Sequence, residues 1–432
     1  MAARCLPISA AVAVLVLTLA SSGFSEWQHS GLDSSQVDDV VFRAGNADVA
    51  YAANYGFSQG VYKSTDAGST WTLSHASGWA HGLAVGPVGT DAVYAIHREA
   101  IFRSLDGGAT WVKKNKGFSF DAGYGPSDIV VNPAHAESVY LTTGGMLGGG
   151  GVFCSPDQGD NWNRIEMPYI SWKGPIDIDP LNTARIYVAE GWDGPLLRTL
   201  DGGDNWTGIY PDVIGDIAIN PLNPDIIYIT VSGDSAVYRS EDGGDTWTGF
   251  GAEAGLGVWA TGVAVNPVNP AIVYAIGQGV YRSDDGGTAW SDFGAGLPEG
   301  EYLSSIAVDS ELGTTLLVGT YQRGIYRRSE SLSGVGRKTE SKQVFLTASP
   351  NPFKGETAIA YQLPMASQMS IAVYDVSGRE VAALVDRSEA TGLHQIIWDG
   401  RDLNGRLVGP GIYYVEIQGG QASAVKPIVL LR

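Results

Sequence analysis

The chain has 432 residues, of which 44% are hydrophobic and 17% charged, with 58 glycines. That length and mix describe a turn-rich globular protein of more than one domain and exclude a disordered chain. The formal net charge of −19 excludes a nucleic-acid or anionic-membrane partner, because both demand a basic surface.

The first 25 residues form a leader. Arg4 precedes an apolar run from Leu6 to Ala20, and Ser21, Ser22 and Gly23 follow. This is the pattern of a secretory signal peptide cleaved between Ala20 and Ser25. No other stretch is long and apolar enough for a membrane helix, so none is expected in the mature protein. The two cysteines are Cys5 and Cys154. Cys5 leaves with the leader, so no intrachain disulfide is expected.

From residue 26 to residue 328 one pattern repeats. Residues 64–71 (STDAGSTW) recur at 104–111, 155–162, 199–206, 240–247 and 283–290, spaced 40 to 51 apart. Each copy has Asp third, Gly fifth and Trp eighth. Asp66, Asp106, Asp157, Asp201, Asp242 and Asp285 can each accept backbone N–H groups inside a tight turn. The glycine permits positive φ, and the Trp covers the turn. A structural role is therefore expected for all six aspartates. The octapeptide resembles the Asp box, or BNR repeat, of sialidases and related propellers. A short apolar strand precedes each copy, and upstream lie two more strands joined by a polar turn, as in Ile217–Pro221 leading to Ile226–Ile229. Four strands per repeat of this period make a propeller blade.

Strand pairs begin near Val40, Leu83, Ile129, Ile176, Ile217, Val263 and Ile306. Seven blades are thus expected from six Asp boxes. The missing outer strand is assigned to the segment around Trp27, so that the N-terminus closes the ring. The fold class expected is all-β: a seven-bladed β-propeller closed by its N-terminal strand, followed by an Ig-like β-sandwich.

Residues 329–343 are polar and are assigned as a linker. Residues 344–432 then show short strands and Gly-marked turns, a β-sandwich pattern. The segments SPNPF, VYDVSGREV, WDGRDLNGR, GIYYVEI and KPIVLLR resemble the Ig-like domain of flagellar hook-capping proteins and the C-terminal sorting domain of type IX secretion cargo. The second resemblance, placed after a signal peptide and a passenger domain, implies recognition by outer-membrane secretion machinery. It also implies a secreted or cell-surface location in a Gram-negative-type bacterium.

Strand order puts the Asp boxes on one face of a propeller and the D-to-A and B-to-C loops on the other, the top. Trp79, Trp172, Trp192, Trp259, Tyr124, Tyr169, Tyr302 and Tyr321 map to the top and are the candidate ligand-binding residues. Packing between blades is the competing account of them. Asp39, Asp128 and Asp216 stand where strand A begins, beside the central channel, and Asp177 interrupts a row of small or apolar residues. These four are the weak candidates for a catalytic pair in glycoside hydrolysis, with solvated channel acids as the alternative. His81, His97, Lys173 and Arg323 also map to top loops. No metal site and no cofactor is expected. The reading favoured is a non-catalytic extracellular protein whose top face binds a polysaccharide or protein. The alternatives are a glycoside hydrolase of the sialidase or xyloglucanase type, without the Arg-rich motif of the former or the paired propellers of the latter, and an assembly-factor or receptor-like propeller.

Overall fold

The computed structural model describes residues 26–330 and 345–431, apart from short segments at 56–58, 77, 99, 118–124, 145–149, 168–172, 191–193, 232, 235, 257–259, 350–352, 364–366, 376–378, 391, 404 and 420–421. The segment expected as a leader, and the segment expected as a linker from residue 331 onward, lie outside the described residues.

Among the described residues, the segment 28–329 forms seven four-stranded antiparallel sheets. Sheet 1 shows the plan. Strand A (Val37–Arg43) pairs with B (Asn46–Asn54), B with C (Gly60–Ser64), and C with D (Thr72–His75). The A strands of sheets 2 to 7 are Ala80–Val85, Gly125–Val131, Lys173–Ile178, Ile214–Ile219, Gly262–Val265 and Leu303–Val308. Each A strand packs against the next, and that of sheet 7 packs against that of sheet 1. Strand B is buried along its whole length in sheets 2 to 7, because sheets cover both of its faces. The core is divided accordingly: one cluster joins Tyr51 and Ala53 of sheet 1 to Leu83 and Val93 of sheet 2.

Sheet 7 takes its outer strand from the other end of the chain. Gln28–Gly31 pairs antiparallel with Ile325–Ser329, with Gln28 opposite Arg327. Trp27 is buried beside Phe293, Tyr274 and Leu316. The last strand runs one residue beyond Arg328, and Glu330 N–H donates to Thr314 O at 2.8 Å.

The Asp turns repeat one hydrogen-bond scheme. Asp66 Oδ1 accepts the Ser64 hydroxyl and the Thr70 N–H, each at 2.8 Å, and Asp66 Oδ2 accepts the Thr70 hydroxyl at 2.6 Å. The Ser64 hydroxyl oxygen accepts Gly68 N–H at 2.8 Å. Gly68 has φ +82°, and a Cβ there would stand 2.5 Å from Leu317 Cδ2 of sheet 7. Asp106, Asp157, Asp201 and Asp242 repeat the carboxylate bonds with Thr110, Asn161, Asn205 and Thr246. Asp285 accepts Ala289 N–H at 2.9 Å. These donors hold the first four of those carboxyls below their ordinary range, with the Thr or Asn side chain as the largest cause.

The C-terminal segment is a sandwich of a three-stranded sheet (Phe345–Ser349, Thr357–Leu363, Gly392–Trp398) and a four-stranded one (Glu380–Glu389, Ser367–Asp375, Gly411–Gly419, Ala422–Leu430). Ile359, Ile371, Val373, Trp398 and Val415 fill the space between them.

Candidate functional site

The seven A strands surround a central cavity of about 780 Å³, lined by Asp38, Asp39, His81, Asp128, Asp216 and Ser305 among others. The aspartates there follow from an irregularity of strand A. A register shift precedes Asp39, Gly82, Asp128, Asp216 and Ser305 in their own sheets. Such a bulge takes a backbone N–H out of its own ladder. The neighbouring sheet then supplies an acceptor. Asp39 Oδ2 accepts Leu83 N–H at 2.9 Å, Asp128 Oδ2 accepts Ile176 N–H at 3.0 Å, and Asp216 Oδ2 accepts Val263 N–H at 2.9 Å. Ser305 does the same between sheets 7 and 1, its hydroxyl oxygen accepting Val40 N–H at 3.2 Å. Sheets 1, 3, 5 and 7 therefore carry an acceptor in this row, where sheets 2, 4 and 6 carry Gly82, Pro175 and Gly262. Asp177 of sheet 4 stands two residues further along and ties Ile219 N–H of sheet 5 at 3.2 Å.

The other oxygens are engaged too. Oδ1 of Asp128, Asp177 and Asp216 accepts the N–H of its own next residue at 2.8 Å, and Oδ1 of Asp39 accepts the Ser305 hydroxyl at 2.9 Å. Burial pushes Asp39, Asp177 and Asp216 up to about 7 and Asp128 up to about 6, while these donors pull the other way. All four are half-buried in the channel wall and accept hydrogen bonds across or along it.

Residues that precede strand A or follow strand B sit on the top face. Trp79, 37% exposed, lies 5.5 Å from the Tyr55 ring, and the Arg98 guanidinium lies 5.5 Å from the Trp79 ring. Over sheet 7, Tyr302 and Tyr321 are 55% and 49% exposed, and Tyr321 N–H donates to Tyr302 O at 3.1 Å. Buried Glu301 accepts Gln322 N–H at 2.8 Å and pairs with Arg323 at 3.4 Å. Asp38 accepts the Gln36 side-chain N–H at 2.8 Å and is raised chiefly by burial, with His81 pulling the other way. The top thus brings Trp79 with Tyr55 and Tyr302 with Tyr321. Trp172, Trp192, Trp259, Tyr124 and Tyr169 lie outside the described residues. His97 is not on a top loop: it ends strand B of sheet 2, is buried against His75 and Phe102, and is pushed down to about 3 by that burial. Asp38 and Glu301 escaped the sequence reading. The signal for Asp38 was its position next to Asp39. Nothing in the repeat marks Glu301.

The lower face carries a second set of ties. Lys63 Nζ donates to Gly107 O of the next turn at 2.7 Å, and Arg103, Arg198, Arg239 and Arg327 likewise reach Gln158, Gly243, Gly286 and Ala67 carbonyls. Cys154 holds this row in sheet 3.

Comparison with known proteins agrees with the two-part plan. Residues 348–423 match the FlgD Ig-like domain family. No curated protein matches the chain. Several solved propellers are similar in fold. YCF48 from Cyanidioschyzon merolae is 16% identical with a TM-score of 0.55, covering 71% of this chain and 98% of that one, and a second YCF48 structure carries a bound D1 peptide. The GH74 xyloglucanase from Xanthomonas campestris is 15% identical with a TM-score of 0.59, covering 93% and 81%. PorZ, an essential bacterial surface component of the type-IX secretion system of Porphyromonas gingivalis, is 16% identical with a TM-score of 0.51, and the match covers 91% of this chain and 59% of PorZ. The chain is a β-propeller followed by an Ig-like domain. No helix among its described residues is long and apolar enough to cross a membrane.

Proposed function

We propose that this is an extracytoplasmic binding protein: a seven-bladed Asp-box propeller, closed by its N-terminal strand, whose top face takes a polysaccharide or protein ligand. Its Ig-like domain serves as a type IX sorting domain, which delivers the propeller to the exterior or to the cell surface. The observation that carries the reading is a division of labour. The channel aspartates are occupied by backbone donors, whereas Trp79, Tyr302 and Tyr321 offer exposed ring area on the opposite side from the Asp turns. Exposed aromatic rings on rigid loops are what sugar faces and peptide side chains stack on.

Within that reading a protein ligand is favoured. Arg98 against Trp79, and the Glu301–Arg323 pair beside Tyr302, mix charge with aromatic area as protein-binding surfaces do. The peptide complex of YCF48 points the same way. The test is a glycan array and a peptide array probed with the mature protein and with a Trp79→Ala/Tyr302→Ala/Tyr321→Ala variant. Binding lost in the triple variant supports the reading. Turnover in a broad glycosidase screen, abolished by Asp128→Asn or Asp216→Asn, would replace it with the hydrolase alternative.

A further inference from the structure

Comparing the seven seams between neighbouring sheets isolates one of them. At the lower rim, the row that begins with Lys63 supplies a cation to the next Asp turn. Lys63 and Tyr51 both donate to Gly107 O, at 2.7 and 3.0 Å. Arg198 and Tyr187 both donate to Gly243 O, at 2.7 and 2.9 Å. Arg239 and Tyr228 both donate to Gly286 O, at 2.6 and 3.0 Å. Arg103 reaches Gln158 O at 2.7 Å, and Arg327 Nε reaches Ala67 O at 2.7 Å. Arg282, which faces a sheet with no Asp turn, bonds the Glu330 carboxylate instead.

The seam from sheet 3 to sheet 4 departs from this. Cys154 replaces the cation, and the neighbouring Tyr140 hydroxyl is engaged with the Cys154 thiol rather than with the next turn. The receiving glycine is Gly202. A Cβ built there meets nothing within 4 Å, whereas at Gly107 it meets Lys63 Nζ and Tyr51 Oη, and at Gly286 it meets Arg239 Nη1 and Tyr228 Oη. Among the described residues no side chain of sheet 3 donates to the turn at 199–206. The seam keeps its upper ties, Asp128 with Ile176 N–H at 3.0 Å and the Thr142 hydroxyl with Gly174 O at 2.9 Å. Below them it has apolar packing of Tyr140, Val152, Ile186, Ile165 and Trp206.

We infer that the propeller has a built-in breach: the lower rim between sheets 3 and 4 opens locally, hinged on the upper Asp128 and Thr142 ties, while the other six seams stay shut. A charged hydrogen bond is among the stronger single contacts available to such a seam, so its loss lowers the local opening free energy below that of its neighbours. Apolar contacts remain, so the sheets stay docked and only the rim parts. Cys154, half-buried, places a thiol at the breach.

The experiment is hydrogen exchange of the full chain under native conditions, read by mass spectrometry, together with N-ethylmaleimide labelling mapped by peptide so that Cys154 is distinguished from Cys5. Amides of 151–155 and 199–206 should exchange roughly tenfold faster than those of the matching strands and turns at the Lys63, Arg198 and Arg239 seams. Cys154 should label faster than the protein unfolds globally. Cys154→Arg, or Cys154→Lys if the first variant folds poorly, should slow the exchange to that of the other seams. Equal protection at all seams overturns the inference. So does labelling of Cys154 only at the global unfolding rate, or a folded cation variant with unchanged exchange.

Discussion

The indole N–H of Trp27 donates to the carbonyl of Phe293 at 2.8 Å, across 266 positions of sequence. The same bond exists within the repeat: Trp162 donates to the carbonyl of Lys114 at 3.0 Å. Lys114 stands three residues after Trp111, and Phe293 stands three after Trp290. Trp27 therefore occupies the place of an Asp-turn tryptophan in a sheet that has no Asp turn. Arg328 converges on the same carbonyl at 2.9 Å, with its guanidinium over the Phe293 ring.

Removing this anchor has a definite cost. Trp27→Ala should destabilise the propeller by about 3–5 kcal/mol, as large-to-small changes of buried aromatics do. Trp27→Phe should cost less, losing the hydrogen bond and part of the area. Denaturant unfolding followed by circular dichroism measures both, and near-equal stability of the Ala variant and the unmodified chain would contradict this placing of Trp27.

The channel ties predict a different signature. Asp216→Ala leaves the N–H groups of Val263 and Ile217 without their acceptor, a loss of about 1–3 kcal/mol. Ligand binding on the top face should survive it in the fraction that folds. Calorimetry beside a binding isotherm separates the two effects.

The same acids set a pH dependence. Asp39, Asp177 and Asp216 are pushed up to about 7 from an ordinary 3.8. Between those values the folded protein holds protons that the unfolded chain has released, so stability falls as pH rises through that window. The Asp turns act in reverse. Asp106, Asp157, Asp201 and Asp242 are held down to about 2, so their contribution is lost as pH falls below 3.8. The denaturant midpoint should therefore be higher near about pH 5 than near about pH 8. Asp216→Asn should shrink that difference.

On the top face, Trp79→Ala, Tyr302→Ala and Tyr321→Ala should each weaken ligand binding about tenfold or more while the melting temperature stays nearly unchanged, because each ring is well exposed. A large loss of stability in any of them would mean that the ring is packing and not recognition.

Gly68→Ala tests the turn. It forces a side chain into positive φ and into Leu317 of the neighbouring sheet, and should cost about 1–2 kcal/mol or more. Gly202→Ala shares the positive φ but meets open space, and should cost less.

Local chemistry made much of this legible in the sequence. Asp66, Gly68 and Trp71 specify one turn through contacts within eight residues, and six copies multiply the signal. Trp27 was legible by subtraction, since one outer strand was missing. The roles of Asp39, Asp128, Asp177 and Asp216 were not, because their partners sit one sheet away and 42 to 48 residues distant. A carboxylate accepting a bulged N–H looks, in sequence, like any channel acid. His97 was misplaced for a similar reason: the strand runs one residue longer than its apolar pattern, and the aromatic box of His75 and Phe102 receives it.

The pairing of Gln28 with Arg327 also has a consequence in time. Ribosomes deliver the chain from its N-terminus, so the strand made first must wait, unpartnered, for nearly the last strand of the ring. Until then the circle cannot shut, and the early sheets face their neighbours with one flank bare. Closing the ring is therefore the last step of building it, and it happens wherever both ends of the propeller segment have arrived.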